Sequence, residues 1–413
     1  MPLKPNRELR EDMQAQVDHS AENTGEPALT RSSTPGMNFP SNGVFTFWKG
    51  RIALFAILKA LGVGRGDTVI VPGYTCFAVP SAIAFTGARP IYADIDPSTF
   101  NLSLESIQAV LADQVGARIK AILIQHTYGI PANSASIVAW ATKCGFATIE
   151  DCAHVWGSRY RDQRGDWRDA GSLADAAFFS SQWTKPAVTG IGGWARTENL
   201  DLQLRLRRFR EIECVAPAIW DVSILAGQVA LRGMISTPRL SSVAKAVYQK
   251  LYSAGLIVGT SSPEELHGRM PVSYAKRMSR FQEWLLGRRL AHISVLAHRR
   301  RLKSVYDEAL KAAGLPAIQV PGYSDPVLLR YPVRVARKKT VLADARKRGI
   351  EMGDWYSRPV DSPDSFDLEA VGYRAGMCPE GERAGREVVN LPMGDEITVE
   401  TALRIVRCLK ECL

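Results

Sequence analysis

Residues 179–193 read FSSQWTKPAVTGIGG and set a single lysine, Lys185, between a short apolar run and three glycines. A lysine amine is a nucleophile only when neutral. Its ordinary pKa of about 10.4 must therefore fall, through burial or through condensation with an aldehyde. The plainer alternative is a lysine that reaches solvent or pairs with a carboxylate. Upstream, TIEDCAH (148–154) ends another apolar run with Glu150 and Asp151. An acid there either caps the next helix or binds a protonated pyridine nitrogen and keeps that ring cationic. Earlier still, WKGRIALFAILKAL (48–61) sets Gly50 at the start of a helical pattern. Free N–H groups at a helix N-terminus suit a phosphate. Arg51 adds a charge-assisted contact there, unless it is a surface residue, and Ser180 offers a hydroxyl five residues before the lysine. In chain order these are a phosphate cradle, a carboxylate about 100 residues on, and a lysine about 34 residues later. That order fits pyridoxal 5′-phosphate held as a lysine Schiff base, with an acidic partner for its ring nitrogen.

Such residues must be carried by elements that converge. TVIVP (68–72), PIYAD (90–94), IKAILIQ (119–125), ATIED (147–151), AAFFS (176–180) and GWAR (193–196) read as short apolar strands. Helical patterns at 51–61, 76–86, 103–112 and 134–144 separate them. Apolar strands alternating with helices predict an α/β fold with a mostly parallel sheet covered on both faces. Ligands in such sheets bind beyond the carboxyl ends of the strands, where Asp151 and Lys185 both fall. Residues 215–235 and 243–259 read as apolar helices, 275–303 as one long basic helix, 325–336 as a strand, 337–348 as a basic helix and 397–411 as a last helix. The expected division is a polar tail (1–38), a large domain (39–311) holding an atypical apolar segment (205–270), and a small C-terminal α/β domain (312–413).

The motifs together resemble the DegT/DnrJ/EryC1/StrS family of pyridoxal-phosphate sugar aminotransferases. The resemblance is carried by GRIALFAILKALGVGRGDTVIVPGYTC, GARPIYADIDPSTFNLSLESIQ, HTYGIPA, IEDCAHVWGS, AAFFSSQWTKP with GIGG, RMSRFQ and NLPM. It implies a fold-type-I, pyridoxal-phosphate-dependent transferase, a homodimer with active sites shared at the subunit interface. It further implies an amino-acid donor, glutamate, and a keto-sugar acceptor linked to a nucleotide. By position, Lys185 forms the Schiff base, Asp151 meets the ring nitrogen, and His154 lies near the ring. Gly50, Arg51 and Ser180 fall on phosphate-binding positions. His126, in HTYGIPA, reads as structural. Three departures stand out. Cys76 replaces the family's ring-stacking aromatic, leaving Tyr74 and Phe77 as the rings to stack. Ala275 replaces an asparagine that reaches the partner's phosphate, so that contact passes to Arg277 or is lost. Residues 205–270 exceed the usual length.

Bulk properties narrow the alternatives. The chain has 413 residues, 46% of them hydrophobic, and no run of about 18 uncharged apolar residues that could span a membrane. Seven scattered cysteines without CxxC pairs, and six histidines without metal spacing, fit reduced thiols in a cytoplasmic protein and no metal. The net charge of +10 gathers partly in 275–303. That run is either a solvated helix face or an anion-facing surface for phosphorylated substrate or acidic lipid, a peripheral contact with an anionic membrane. No nucleic-acid module accompanies the charge. Competing functions are transfer to a non-nucleotide ketone (an aminocyclitol precursor, a keto-sugar acid or a lipid-linked ketone), a non-catalytic cofactor- or membrane-binding protein, and a sugar dehydratase. The dehydratases of the family carry histidine where this chain has Lys185.

Overall fold

In the computed structural model of the chain, the described residues are 43–114, 116–235, 247, 250–251, 257–292, 294–364 and 366–413. The polar tail and most of the helical pattern at 243–259 lie outside them. A seven-stranded sheet comprises β1 (Val44–Phe47), β2 (Asp67–Pro72), β3 (Arg89–Ala93), β4 (Arg118–Gln125), β5 (Ala147–Asp151), β6 (Ala176–Ser180) and β7 (Gly193–Arg196). Its spatial order is β1-β7-β6-β5-β4-β2-β3. Strands β6, β5, β4, β2 and β3 run parallel to their neighbours, while β7 is antiparallel to both β1 and β6. All six strands read from the sequence are present. The strand β1 was not foreseen, because its four residues run straight into the apolar pattern of the following helix.

The sheet is buried on both faces, and side-chain alternation shows it. Val69 and Val71 of β2, with Leu123 of β4, join the core under α1 (Gly50–Ala60) and α2 (Ala78–Ala84). Ile70, Ile122 and Ile124 point to the other face, against α3 (Leu104–Ala112) and α4 (Ser134–Cys144). Each such side chain contributes roughly 1.5–3 kcal/mol of burial. Helix α4 starts with Asn133 accepting from the Ser136 N–H and ends at Gly145, whose φ of +74° suits a residue without Cβ. Helix α1 is buried nearly all round; Phe55 packs edge-on to Phe209 of α5 (Leu200–Ile212), with ring centroids 5.9 Å apart. Helix α6 (Ile219–Ile235) follows, with Ile219 and Trp220 largely exposed.

The single basic helix expected over 275–303 is instead two helices, α7 (Arg280–Leu290) and α8 (Ser294–Ala312). Ser279 and Gln282 form a reciprocal capping box, which fixes the start of α7 at residue 280. Nor do the arginines share one wet face. Arg299 is buried, and Arg300 bonds Asp325 and the Gly157 carbonyl.

Toward the C-terminus, β8 (Arg330–Arg334) and β9 (Val388–Pro392) form an antiparallel pair with α9 (Lys338–Lys347) and α10 (Val399–Cys412). The strand expected over 325–336 is therefore shorter. Tyr331, Val333, Val341, Leu391 and Leu409 pack with Leu302, Tyr306 and Leu310 of α8 in one core. A short parallel pair joins Thr75–Cys76 to Val360–Asp361, with the Thr75 N–H on the Pro359 carbonyl and the Phe77 N–H on the Asp361 carbonyl. This pairing, between segments far apart in the chain, ties residues 355–361 to the end of β2.

Candidate active site

A cleft of about 610 Å³, measured to its open mouth, lies at the carboxyl ends of β5 and β6 and the N-terminus of α1. Lys185, Asp151, His154, Gly50, Arg51, Ser180 and Cys76 all line it. Residues spread over more than a hundred positions thus share one wall, as expected where parallel strands end.

Close packing of glycine brings α1 to the strand ends. A Cβ on Gly193 would collide with the Gly50 backbone and the Phe179 carbonyl, and a Cβ on Gly50 would press on Ser180 at 3.0 Å. Gly193 thus lets two backbones touch, while Gly190, at a φ of +90°, takes a turn that suits a residue without Cβ. Gln282 of α7 holds the same loop by donating from Nε2 to the Ile191 carbonyl at 2.6 Å. At the α1 N-terminus, Lys49 is the cap residue and supplies no side-chain cap bond. The Ile52 and Ala53 N–H groups donate to the Lys49 carbonyl, which leaves those of Gly50 and Arg51, both on the cleft wall, without an intrahelical acceptor.

Lys185 is 7% exposed, and burial lowers its pKa to about 8, partly offset by the nearby Cys76 and Asp151. Its Nζ lies 4.3 Å from the centroid of the Trp355 ring. Asp151 is pushed the other way. Burial raises it to about 6, against a bond from the Ala153 N–H and the charge of Lys185. A base and an acid with opposed shifts in one cleft mark a reactive site.

His154 is held neutral, its pKa well below the usual value, by burial and by the cation Lys185. Its Nδ1 accepts from the Tyr128 N–H at 3.1 Å, so the ring proton is on Nε2, which faces the Tyr356 hydroxyl at 3.2 Å. Behind it, His126 Nδ1 accepts from the Ala132 N–H, and Nε2–H donates to Glu150. Burial alone would raise Glu150, but bonds from His126, Ser134 and Tyr160 hold it below the ordinary range. Glu150 and His126 thus brace β5 from behind the cleft.

Other expected residues sit elsewhere. Tyr74 does not line the cleft. It is fully buried, its hydroxyl bonded to the Tyr128 hydroxyl at 2.6 Å and to the Tyr356 carbonyl at 3.2 Å. Nor does Phe77, which carries the Arg51 guanidinium over its ring and packs on Phe366. Neither can stack on a group bound in the cleft. Arg277 lies outside this chain's cleft, its backbone bridging Phe47 and bonding Val215. Arg51 lines the cleft, yet its Nη1 bonds Glu265 at 2.9 Å, and Glu265 also holds Lys49 at 2.8 Å.

The residues that sequence reasoning missed are Glu265, Tyr356 and Trp355. Trp355 lies 4.7 Å from His154, centroid to centroid. Glu265 falls in the atypical apolar segment 205–270, and Trp355 and Tyr356 fall between the elements read from the sequence. Tyr356 lines the cleft because the 360–361 pairing carries its segment there.

This geometry coincides with a match to the model of the DegT/DnrJ/EryC1/StrS aminotransferase family over residues 42–227 and 233–410. The chain belongs to that family. It is an aminotransferase, with the α/β fold of the family's enzymes and a large, mostly parallel sheet. It is similar to dTDP-3-amino-3,4,6-trideoxy-alpha-D-glucose transaminase of Streptomyces venezuelae, 29% identical over 366 residues, 88% of this chain and 80% of the relative. It is also similar to UDP-2-acetamido-2-deoxy-3-oxo-D-glucuronate aminotransferase of Pseudomonas aeruginosa, 28% identical over 348 residues, 83% of this chain and 79% of that one. Among solved structures, Streptomyces venezuelae DesV in complex with a ketimine intermediate superposes with a TM-score of 0.67 at 24% identity. The overlap covers 98% of this chain and 95% of that one, and it shows the shared fold. Of the segment 205–270, only 228–232 falls outside the family match. Among the described residues no acidic, cysteine or histidine cluster could hold a metal, and no helix is long and apolar enough to cross a membrane.

Proposed function

We propose that this aminotransferase uses pyridoxal 5′-phosphate to move an amino group from an amino acid, glutamate, to a keto-sugar carried on a nucleotide. The observation that carries this reading is the pairing of Lys185 and Asp151, both buried in one cleft beside the uncapped N-terminus of α1. The donor set fits the cofactor. The Gly50 and Arg51 N–H groups, with the Ser180 hydroxyl, suit its phosphate. Asp151 is a buried carboxylate suited to a cationic ring nitrogen, and Lys185 is an amine suited to its aldehyde. The acceptor class is proposed from the relatives, whose names specify UDP- and dTDP-linked sugars.

When bound, the cofactor supplies an aldehyde for amines and a ring that accepts electrons. The chain's own residues do the rest. Lys185, with a pKa near 8, carries a useful neutral fraction at physiological pH. Its Nζ would hold the cofactor at that aldehyde when no donor amine is present. Once free, Nζ takes the proton from the donor's Cα. In the return half-reaction it delivers a proton to the acceptor carbon that receives the nitrogen. Asp151 would hold the proton on the cofactor's ring nitrogen. Neutral His154, fixed by Tyr128 and Tyr356, offers the face of its ring without a competing charge. Cys76 lies on the cleft wall where the family places an aromatic ring. Two chains form the working unit, a homodimer in which Arg277 serves the partner's site.

Lys185→Ala is the test. The purified wild type loaded with pyridoxal phosphate absorbs in the violet, and L-glutamate shifts that band. The variant shows neither the band nor turnover, a rate loss of about a thousandfold or more. A wild type that takes up no cofactor would falsify the reading.

A further inference from the structure

The phosphate end of the cleft already meets an anion of the chain's own. Glu265 is 1% exposed and lies 214 positions from Arg51 in the chain. Its Oε1 accepts from Arg51 Nη1 at 2.9 Å, and its Oε2 accepts from Lys49 Nζ at 2.8 Å. Lys49 and Arg51 flank Gly50 and line the cleft with it. Burial alone would raise the Glu265 carboxyl, but the charges of Arg51 and Lys49 hold its pKa below the ordinary value, so it is ionised there.

Local structure fixes this carboxylate in place. Ser262 and Glu265 form a reciprocal capping box on the short helix Pro263–Leu266. Ser262 Oγ accepts from the Glu265 N–H at 3.3 Å, and the Ser262 N–H donates to Glu265 Oε2 at 2.8 Å. The oxygen that meets Lys49 is therefore also held by its own helix. Val258 and Leu266 pack on the main core, and Thr260 of the same stretch lines the cleft. Close by, the Tyr274 hydroxyl is shielded from solvent with no hydrogen-bond partner, and it feels the charges of both Arg51 and Glu265. An unmade buried bond is costly, so Glu265 in its present place does not satisfy every polar group at this end.

A phosphate bound by the Gly50 and Arg51 N–H groups and the Ser180 hydroxyl gains from any cation beside it. Glu265 takes a bond from each of the two cations on that wall and lowers the positive potential a phosphate meets. We propose that Glu265 is a built-in competitor of the cofactor's phosphate: it engages Lys49 and Arg51 against the incoming anion and keeps its binding readily reversible. This rests on the functional reading above, which places the phosphate at this wall. The opposite role, a carboxylate that aims Arg51 at the phosphate, predicts the reverse result on neutralising Glu265.

Glu265→Gln keeps the shape of the side chain and one acceptor oxygen, and it removes the charge. Calorimetric titration of the unloaded wild type and variant uses three probes: inorganic phosphate, pyridoxal phosphate, and pyridoxal, which has no phosphate. Both phosphates should bind the variant about five- to twentyfold more tightly, with pyridoxal within about twofold of wild type. The gain should shrink as salt rises. Weaker binding of the two phosphates overturns the proposal and leaves Glu265 as a support for Arg51. Unchanged affinity for them overturns it too, as does an equal gain for pyridoxal or a variant that binds no inorganic phosphate. If the glutamine variant does not fold, judged by far-ultraviolet circular dichroism, Lys49→Met decides. Loss of that contested cation should weaken inorganic phosphate about fivefold or more, and unchanged affinity overturns the proposal. Should the chain bind neither pyridoxal nor pyridoxal phosphate, the functional reading fails separately, and inorganic phosphate still reports on Glu265.

Discussion

Burial sets the chemistry of Lys185 and Asp151, and it also makes them a liability to the fold. Burial lifts Asp151 to about 6, above an ordinary value of about 4. Between those values the folded chain holds a proton that the unfolded chain has released. Stability of the unloaded chain therefore falls as pH rises from about 4 to 6, and the penalty stays in full above that window. Asparagine mimics the protonated acid at every pH. Asp151→Asn should gain on wild type by up to about 3 kcal/mol between pH 4 and 7, read from urea midpoints at both ends, while losing affinity for pyridoxal phosphate. Equal pH slopes for the two proteins would count against a buried, uncompensated acid. His154 follows the same logic in reverse: shielded and close to a lysine, it is held neutral, and the Tyr128 amide fixes which nitrogen keeps the proton.

Helix α1 meets the ends of β6 and β7 only because Gly50 and Gly193 carry no side chains. Gly193→Ala forces backbone against backbone, where no flexible side chain can yield. It should cost about 1–3 kcal/mol or more and weaken cofactor binding as the helix terminus moves away. Gly227→Ala, in α6 with open space around it, should be neutral or stabilising by about 0.5–1 kcal/mol. Denaturation midpoints and cofactor affinity for the pair settle the matter; equal behaviour would refute the close-contact role. Six of the seven strands of the sheet were legible because each is an apolar run bounded by turn residues or charge. Helix α5 was not, because DLQLRLRRFREI interrupts its apolar stripe with arginines, and only Leu202, Leu206 and Phe209 are buried. The basic run looked continuous for the opposite reason: nothing in its composition marks the break between α7 and α8.

The whole molecule brings together what the sequence keeps apart. Lys185, Asp151 and Gly50 could be grouped in advance because strand ends of a parallel sheet converge. Trp355 and Tyr356 could not, since the 75–76 and 360–361 pairing that places their segment has no local signature. Tyr74 was misread because a tyrosine beside a strand end looks available, whereas its hydroxyl is committed to two partners. One feature points outward. Ile219 and Trp220 are 84% and 71% exposed at the start of α6, an apolar surface consistent with the proposed homodimer. Analytical ultracentrifugation should find wild type at twice its 45.4 kDa mass. Trp220→Glu should weaken association by about tenfold or more. A wild type that stays monomeric at every concentration would remove the shared-site proposal.

Treating the cofactor-loaded protein with borohydride, then mapping the modified peptide by mass spectrometry, asks which amine holds the aldehyde. The pyridoxyl group should appear on the peptide containing Lys185 and on no other. Its attachment to a different lysine, or its absence from every peptide, would contradict the assignment on which the mechanism stands.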